Sequence, residues 1–207
     1  MRVLIVDDSR QSKFYLESRI QTSPDYQVVA TIASAANAEL YCIRKSVDMI
    51  LMDVCTADNT SGLEVAGKIK KNYPDIKIII VTSMPEHSFI KKAREYNCEG
   101  FWYKEYGEMD ILEVMDKVKN GRYVYPSESP VIEIGYCKSS EFSPREYDVV
   151  RLLADGKSRQ EIADELGISS RTVRFYIDEL KSKTGYEDTM KMVAEFVEKK
   201  LVINSIR

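Results

Sequence analysis

Residues 2–9 read RVLIVDDS, an apolar, β-branched run that ends abruptly in two adjacent carboxylates, Asp7 and Asp8. The run has the length and composition of a buried strand. Each of the two carboxylates raises the cost of ionising the other, so the pair calls for water, a cation or a helix N-terminus nearby. Which of these serves depends on what other strands bring to the same edge.

Outward from this stretch the same alternation repeats. RVLIV is followed by an amphipathic run over 9–20, YQVVATI by 35–44, VDMILMD by 62–71, IKIIIVTS by 86–96 and GFWYK by 109–119. Five strand–helix units of this kind give a doubly wound five-stranded parallel sheet covered on both faces, an α/β domain over residues 1–120. The stretch 121–140, GRYVYPSESPVIEIGYCKSS, holds two prolines and two glycines without a sustained period and reads as a linker, within which VIEI has the makings of a short strand.

From 141 to 207 the pattern turns all-helical. Ser143, Pro144 and Glu146 form a capping box with proline at the first helical position, and Gly156 ends that helix. SRQE at 158–161 opens a second helix that stops at Gly167. Ser169 caps a third, reaching about Lys183, and a fourth runs from about Asp188 to Leu201.

Composition narrows the function classes. The chain's 207 residues are 44% hydrophobic, enough for real cores, and 30 Lys and Arg against 33 Asp and Glu leave a formal charge of −3. No global field announces a nucleic acid or a membrane, so any such site is local. Apolar runs are too short to cross a bilayer and the start lacks the order of a signal peptide, which predicts a cytoplasmic protein without a membrane partner. Four scattered cysteines and one histidine offer no zinc spacing, so metal chemistry here is oxygen chemistry.

In open parallel sheets ligands bind beyond the carboxyl ends of the strands. The residues there are Asp7 and Asp8 on strand one, Asp53 on strand three, Thr82 and Ser83 on strand four, and Lys104 on strand five. Three carboxylates, hydroxyls and an ammonium thus converge on one rim. Carboxylates, a backbone carbonyl and waters suit octahedral Mg²⁺, which relieves the repulsion between Asp7 and Asp8 and leaves a position for a phosphoryl oxygen.

VDD, MILMD, VTS and WYK, in this order and spacing, resemble a response-regulator receiver domain over residues 1 to about 120. The resemblance implies a flavodoxin-like fold in which Asp53 accepts a phosphoryl group from a histidine kinase. It also implies that Asp8 and Asp53 ligate Mg²⁺ directly, that Asp7 acts through water and that the Cys55 carbonyl adds a ligand. Thr82 and Lys104 would hold the phosphoryl group, and Phe101 would be the switch aromatic. The loop DVCTADNTSG, residues 53–62, departs from the family in lacking its usual proline and being about one residue longer.

The stretch FSPREYDVVRLLADGKSRQEIADELGISSRTVRFYIDELKSKTG resembles the helix-turn-helix of the LuxR/NarL (FixJ) regulators, notably in SPRE, the EIA step, GIS and TV. Ile162, Ala163, Leu166, Val173, Ile177 and Leu180 fall on an inward face, while Ser170, Arg171, Arg174 and Phe175 face out to enter a major groove. Lys157, Arg159, Arg171, Arg174, Lys181 and Lys183 form the phosphate-contacting set. In RFYIDELKSK, Asp178 and Glu179 stand where the family favours cationic or neutral residues. Helical spacing predicts the pairs Arg174–Asp178 and Glu179–Lys183. On the last helix Met190, Val193, Val197 and Leu201 share one face, for a dimer or for the domain's own core.

Together these readings predict not an enzyme but a phosphorylation-controlled transcription factor that takes a sensor kinase and promoter DNA as partners and dimerises when phosphorylated. Two alternatives stand beside it. Twelve Lys and Arg against 13 Asp and Glu from Glu141 onward suit a protein-binding adaptor. An aspartyl-phosphate phosphohydrolase fits worse, because Cys55 stands two residues beyond Asp53 where an acid is needed.

Overall fold

The computed structural model describes residues 1–57, 60–107 and 109–202. The chain divides into two compact units, the first built almost entirely from residues up to Glu128 and the second almost entirely from residues from Ser129 onward.

The first unit holds a five-stranded sheet of β1 (Arg2–Val6), β2 (Gln27–Ile32), β3 (Met49–Asp53), β4 (Lys77–Thr82) and β5 (Gly100–Tyr103). Its spatial order is β2-β1-β3-β4-β5 and every pairing is parallel. Strands β1, β3 and β4 are buried on both faces, so they read as unbroken apolar runs instead of alternating. Odd and even positions still separate. Val3, Ile5, Met49, Leu51, Ile79, Val81 and Trp102 pack under α1 (Arg10–Gln21) and α5 (Ile111–Lys119). Leu4, Val6, Ile50, Met52, Ile78, Ile80 and Phe101 pack under α2 (Ala38–Lys45), α3 (Gly62–Asn72) and α4 (His87–Glu95).

The helix starts follow local chemistry. Ser9, Ser61 and Asp110 cap α1, α3 and α5, each accepting from a first-turn amide. Because Asp110 is the cap, α5 begins two residues later than the expected Met109. The segment expected as helix from Ala35 opens as a 3₁₀ turn, Ala35–Asn37, capped by Ser34.

The stretch 121–140 carries pairing of its own. Val124 runs parallel to β5, accepting from the Phe101 amide at 2.8 Å and donating to the Glu99 carbonyl at 2.9 Å. Farther on, β6 (Glu133–Ile134) and β7 (Cys137–Lys138) form a hairpin whose Ile134 and Cys137 enter the core of the second unit. VIEI thus does contribute a strand.

That second unit consists of the hairpin with α6 (Pro144–Ala154), α7 (Arg159–Leu166), α8 (Ser170–Thr184) and α9 (Thr189–Glu198). Both capping boxes form, Ser143 with Glu146 and Ser158 with Glu161. Gly167, at φ 64°, makes the left-handed turn between α7 and α8 that a β-carbon would disfavour. Helix α9 ends at Glu198, and Leu201 folds back as buried, non-helical chain. On its face Val193 and Leu201 fill the unit's own core, whereas Met190 is exposed. Among the described residues no helix is long and apolar enough to cross a membrane.

Candidate functional site

The rim of the parallel sheet gathers the residues that the strand ends supply. Asp7 follows β1 directly and is 1% exposed, Asp53 ends β3 and is 6% exposed, and Lys104 follows β5. The Lys104 ammonium donates to Asp7 Oδ2 at 2.6 Å and to Asp53 Oδ2 at 2.8 Å, a cation shared by two buried carboxylates. Asp8, exposed, completes a cluster in which one oxygen each of Asp7, Asp8 and Asp53 lies within 4.8 Å of the others. This all-oxygen donor set of three acids fits a small hard divalent cation such as Mg²⁺.

The surroundings fix these side chains. Asp7 Oδ1 accepts from the Ser9 amide at 2.9 Å, and Asp7 Oδ2 also accepts from the Ser12 hydroxyl at 2.5 Å. Asp53 Oδ1 accepts from the Cys55 amide at 3.4 Å. Burial pushes the Asp53 pKa up, Lys104 draws it back and Asp7 raises it again, for a net rise. Burial works against the charge on Lys104, but the two carboxylates outweigh it and keep the ammonium protonated.

Thr82 is buried at the end of β4, and its carbonyl accepts from the Lys104 amide at 2.9 Å. Phe101 points into the α2–α3–α4 side of the sheet, edge-on to Tyr103 with centroids 5.0 Å apart. Trp102 takes the other face, so of the three neighbouring aromatics in GFWY, Phe101 and Tyr103 share one side of the sheet.

The proline-free loop after Asp53 is stapled by Thr56, whose hydroxyl accepts from the Ala35 amide at 3.0 Å and donates to the Thr60 carbonyl at 2.8 Å. Asp58 and Asn59 of this loop lie outside the described residues. Sequence reasoning passed over Gly62, which opens α3 with its amide on the Val54 carbonyl at 2.8 Å and its α-carbon against the Asp53 backbone. A glycine at the first position of a helix, right after a serine cap, was the available signal.

In the second unit α8 presents the expected face. One groove is lined by Arg159, Gln160, Ser170, Arg171, Arg174, Phe175 and Asp178. A second, sharing Arg159, Arg174 and Asp178, adds Lys157 and Lys181. Seven of the eight expected contact residues therefore lie on one continuous surface. Lys183 does not join them: it turns back to Glu146, at 2.7 and 2.9 Å, and to the Glu141 carbonyl at 3.1 Å. The expected Glu179–Lys183 pair is thereby replaced, because the buried Glu146 carboxylate already closes the α6 capping box and needs a cation. Arg174 does pair with Asp178, at 3.6 Å on open surface. Lys157 pairs with Glu165. Gln160, not singled out from sequence, accepts from the Ser170 hydroxyl at 2.6 Å and so ties α7 to the start of α8.

Comparison with known proteins agrees with this geometry. Residues 3–116 match the family described as response regulator receiver domain, and residues 140–195 match bacterial regulatory proteins of the luxR family. The chain is 29% identical over 198 residues to the response regulator protein VraR of Staphylococcus aureus and, equally, of Staphylococcus epidermidis, covering 93% of this chain and 94% of those proteins. Among solved structures it resembles RcsB of Salmonella enterica serovar Typhimurium, bound to a promoter with phosphomimetic beryllofluoride, at 19% identity, TM-score 0.56 and 96% and 98% coverage. It also resembles a LuxR-family response regulator of Aurantimonas sp. SI85-9A1, at 24% identity, TM-score 0.56 and 59% and 87% coverage.

Proposed function

Because the chain belongs to the response regulators of two-component systems, with a receiver followed by a LuxR-type DNA-binding domain, we propose that Asp53 is its phosphoacceptor. The donor is the phosphohistidine of a sensor kinase, and the modification controls how the second domain pairs on promoter DNA. The boundaries that go with this reading are a receiver over 1–120, a DNA-binding domain over 141–207 and a connecting stretch over 121–140 whose Val124 adds to the first unit and whose hairpin adds to the second.

One observation carries it: the Lys104 ammonium bridging Asp7 and Asp53 beside Asp8. A carboxylate is a weak nucleophile and three acids repel a phosphoryl group, so transfer needs positive charge already in place. An Asp53 oxygen attacks phosphorus as the phosphorus–nitrogen bond breaks, leaving an acyl phosphate on Asp53 and a histidine that takes up a proton. Lys104 exchanges Asp7 for a phosphoryl oxygen, and the Thr82 hydroxyl donates to another. Phe101 then repacks behind Thr82. Asp8 and Asp53 would hold Mg²⁺ directly, Asp7 through water, with the Cys55 carbonyl as a further ligand. That cation, when bound, supplies the charge that screens the three carboxylates.

On the DNA side Arg171, Arg174 and Phe175 of α8 enter the major groove with Ser170, while Lys157, Arg159 and Lys181 meet phosphates. Lys183 serves Glu146 first and contributes only if that pair opens. The protein acts as a dimer in the cytoplasm, beside the DNA.

Acetyl phosphate should modify the full chain only with Mg²⁺ present, and Asp53→Asn should abolish the modification. Mapping the phosphoryl group by mass spectrometry to any other side chain overturns the assignment. Promoter fragments selected by the chain should be retained with a steep salt dependence; a chain that captures no DNA with or without phosphorylation acts through protein partners instead.

A further inference from the structure

Asp7 Oδ2 has two donors, the Lys104 ammonium at 2.6 Å and the Ser12 hydroxyl at 2.5 Å, and Asp7 is 1% exposed. We propose that Ser12 is a positioning residue for phosphoryl uptake, whose hydroxyl keeps Asp7 Oδ2 hydrogen-bonded after Lys104 has left it for a phosphoryl oxygen. The inference rests on the phosphoacceptor reading of Asp53 and assigns a role to a residue outside the carboxylate cluster.

The reasoning starts from what Lys104 must give up. Its ammonium has three N–H donors in all, and two of them hold Asp7 and Asp53. Charge on a phosphoryl group at Asp53 draws that ammonium outward and strips a donor from a carboxylate that stays buried. Leaving such an oxygen without a protein donor costs enough to lower an equilibrium constant by about tenfold. Ser12 prevents that, because its hydrogen bond does not involve Asp53 at all.

Local structure makes the donor a fixed one. The Ser12 amide is bonded to the Ser9 side chain, which caps α1, and the Ser9 amide in turn donates to Asp7 Oδ1 at 2.9 Å. The first turn of α1 thus grips both oxygens of Asp7, one from the backbone and one from Ser12. A rigid first turn holds a donor in place at small entropic cost. Serine is also a poor choice inside a helix, where its hydroxyl competes for backbone partners. Here the hydroxyl is spent on the carboxylate instead, and a better helix former at this position would leave Asp7 with one donor fewer.

The test is a beryllofluoride titration of the full chain at saturating Mg²⁺, followed by fluorine NMR of the bound fluoride, for the wild type, Ser12→Ala and Ser12→Thr. Ser12→Ala should need about tenfold more beryllofluoride, and Ser12→Thr, which keeps the hydroxyl, should restore the wild-type curve. Without beryllofluoride, Lys104 still donates to Asp7, so Ser12→Ala should lose much less in Mg²⁺ affinity than in beryllofluoride affinity. An unchanged beryllofluoride affinity in Ser12→Ala, a Ser12→Thr chain as impaired as Ser12→Ala, or an equal loss of Mg²⁺ affinity each overturns the inference. A wild type that takes up no beryllofluoride defeats the phosphoacceptor reading and this role with it. Normal uptake by the wild type with an unaffected Ser12→Ala defeats the role of Ser12 alone.

Discussion

Gly62 lies against the backbone of Asp53: a β-carbon on Gly62 would fall 1.8 Å from the Asp53 carbonyl oxygen and 3.1 Å from the Met52 side chain. Neither neighbour is a flexible tip that can swing aside, since one is the main chain of β3 and the other belongs to a fully buried residue. The start of α3 and the end of β3 are therefore docked backbone to backbone, and Asp53, the proposed phosphoacceptor, sits on that joint. Gly62→Ala should force the two apart, at about 1–3 kcal/mol of receiver stability. Because the displaced atom is part of Asp53, modification by acetyl phosphate should fall further than the stability loss explains. Comparing Gly62→Ala with Ala66→Gly, a change on the same helix away from Asp53, by unfolding and by phosphorylation rate checks this; equal phosphorylation rates would show that the joint tolerates a methyl group.

The elevated pKa of Asp53 sets a pH dependence. Burial, partly countered by Lys104 and reinforced by Asp7, raises it to about 7. The folded chain then holds a proton that the unfolded chain has lost, so the metal-free receiver should lose stability as pH rises from the ordinary carboxylate range to about 7. Mg²⁺ competes with that proton and should stabilise more at alkaline than at acid pH. Thermal unfolding followed at Trp102, the single tryptophan and a residue of β5, isolates this unit. Asp53→Asn should flatten the slope, and a slope that survives the substitution would assign the titration to another group.

Glu146 behaves in the opposite sense. Burial raises its pKa, but hydrogen bonds from Lys183 and Ser143 outweigh that and hold it below the usual carboxylate range. Its contribution is therefore present at neutral pH and lost as pH falls through the lowered folded-state value. Glu146→Gln removes the charge that Lys183 answers while keeping an amide oxygen that can accept from the Ser143 amide, and should cost the second unit about 1–2 kcal/mol at neutral pH. The cost should shrink in acid. Amide exchange of α6 and α8 measures it, and a loss independent of pH would mean that packing and not charge is at stake.

On the exposed face of α8, Arg174 and Asp178 are 3.6 Å apart and more than half exposed. Such a pair is worth only about 0.2–0.5 kcal/mol, so Arg174 can exchange Asp178 for a DNA phosphate. Asp178→Ala should then tighten binding to many sequences alike. Weaker binding with discrimination lost at a single C·G position would instead mean that Asp178 accepts from a cytosine amino group and reads that base. Titrating the variant on the native site and on its single-base variants separates the two.

The sequence by itself determined what repeats locally. Apolar runs such as 2–6 and 77–82 announce buried strands, the boxes Ser143–Glu146 and Ser158–Glu161 start helices within four residues, and Gly167 marks a left-handed turn. The rim was legible as well, because strand ends in a parallel sheet share one edge and so bring Asp7, Asp53 and Lys104 together whatever the loops do. Tertiary structure decided which partner a long or small side chain meets. Helical spacing offered Glu179 to Lys183, yet the lysine reaches Glu146, 37 positions away, because a buried carboxylate outbids an exposed one. The closeness of Gly62 to Asp53 and the grip of Ser12 on Asp7 arise in the same way: each depends on how a helix start is laid against a strand end. Periodicity says that a helix begins there, and only the packed backbone says what its first turn touches.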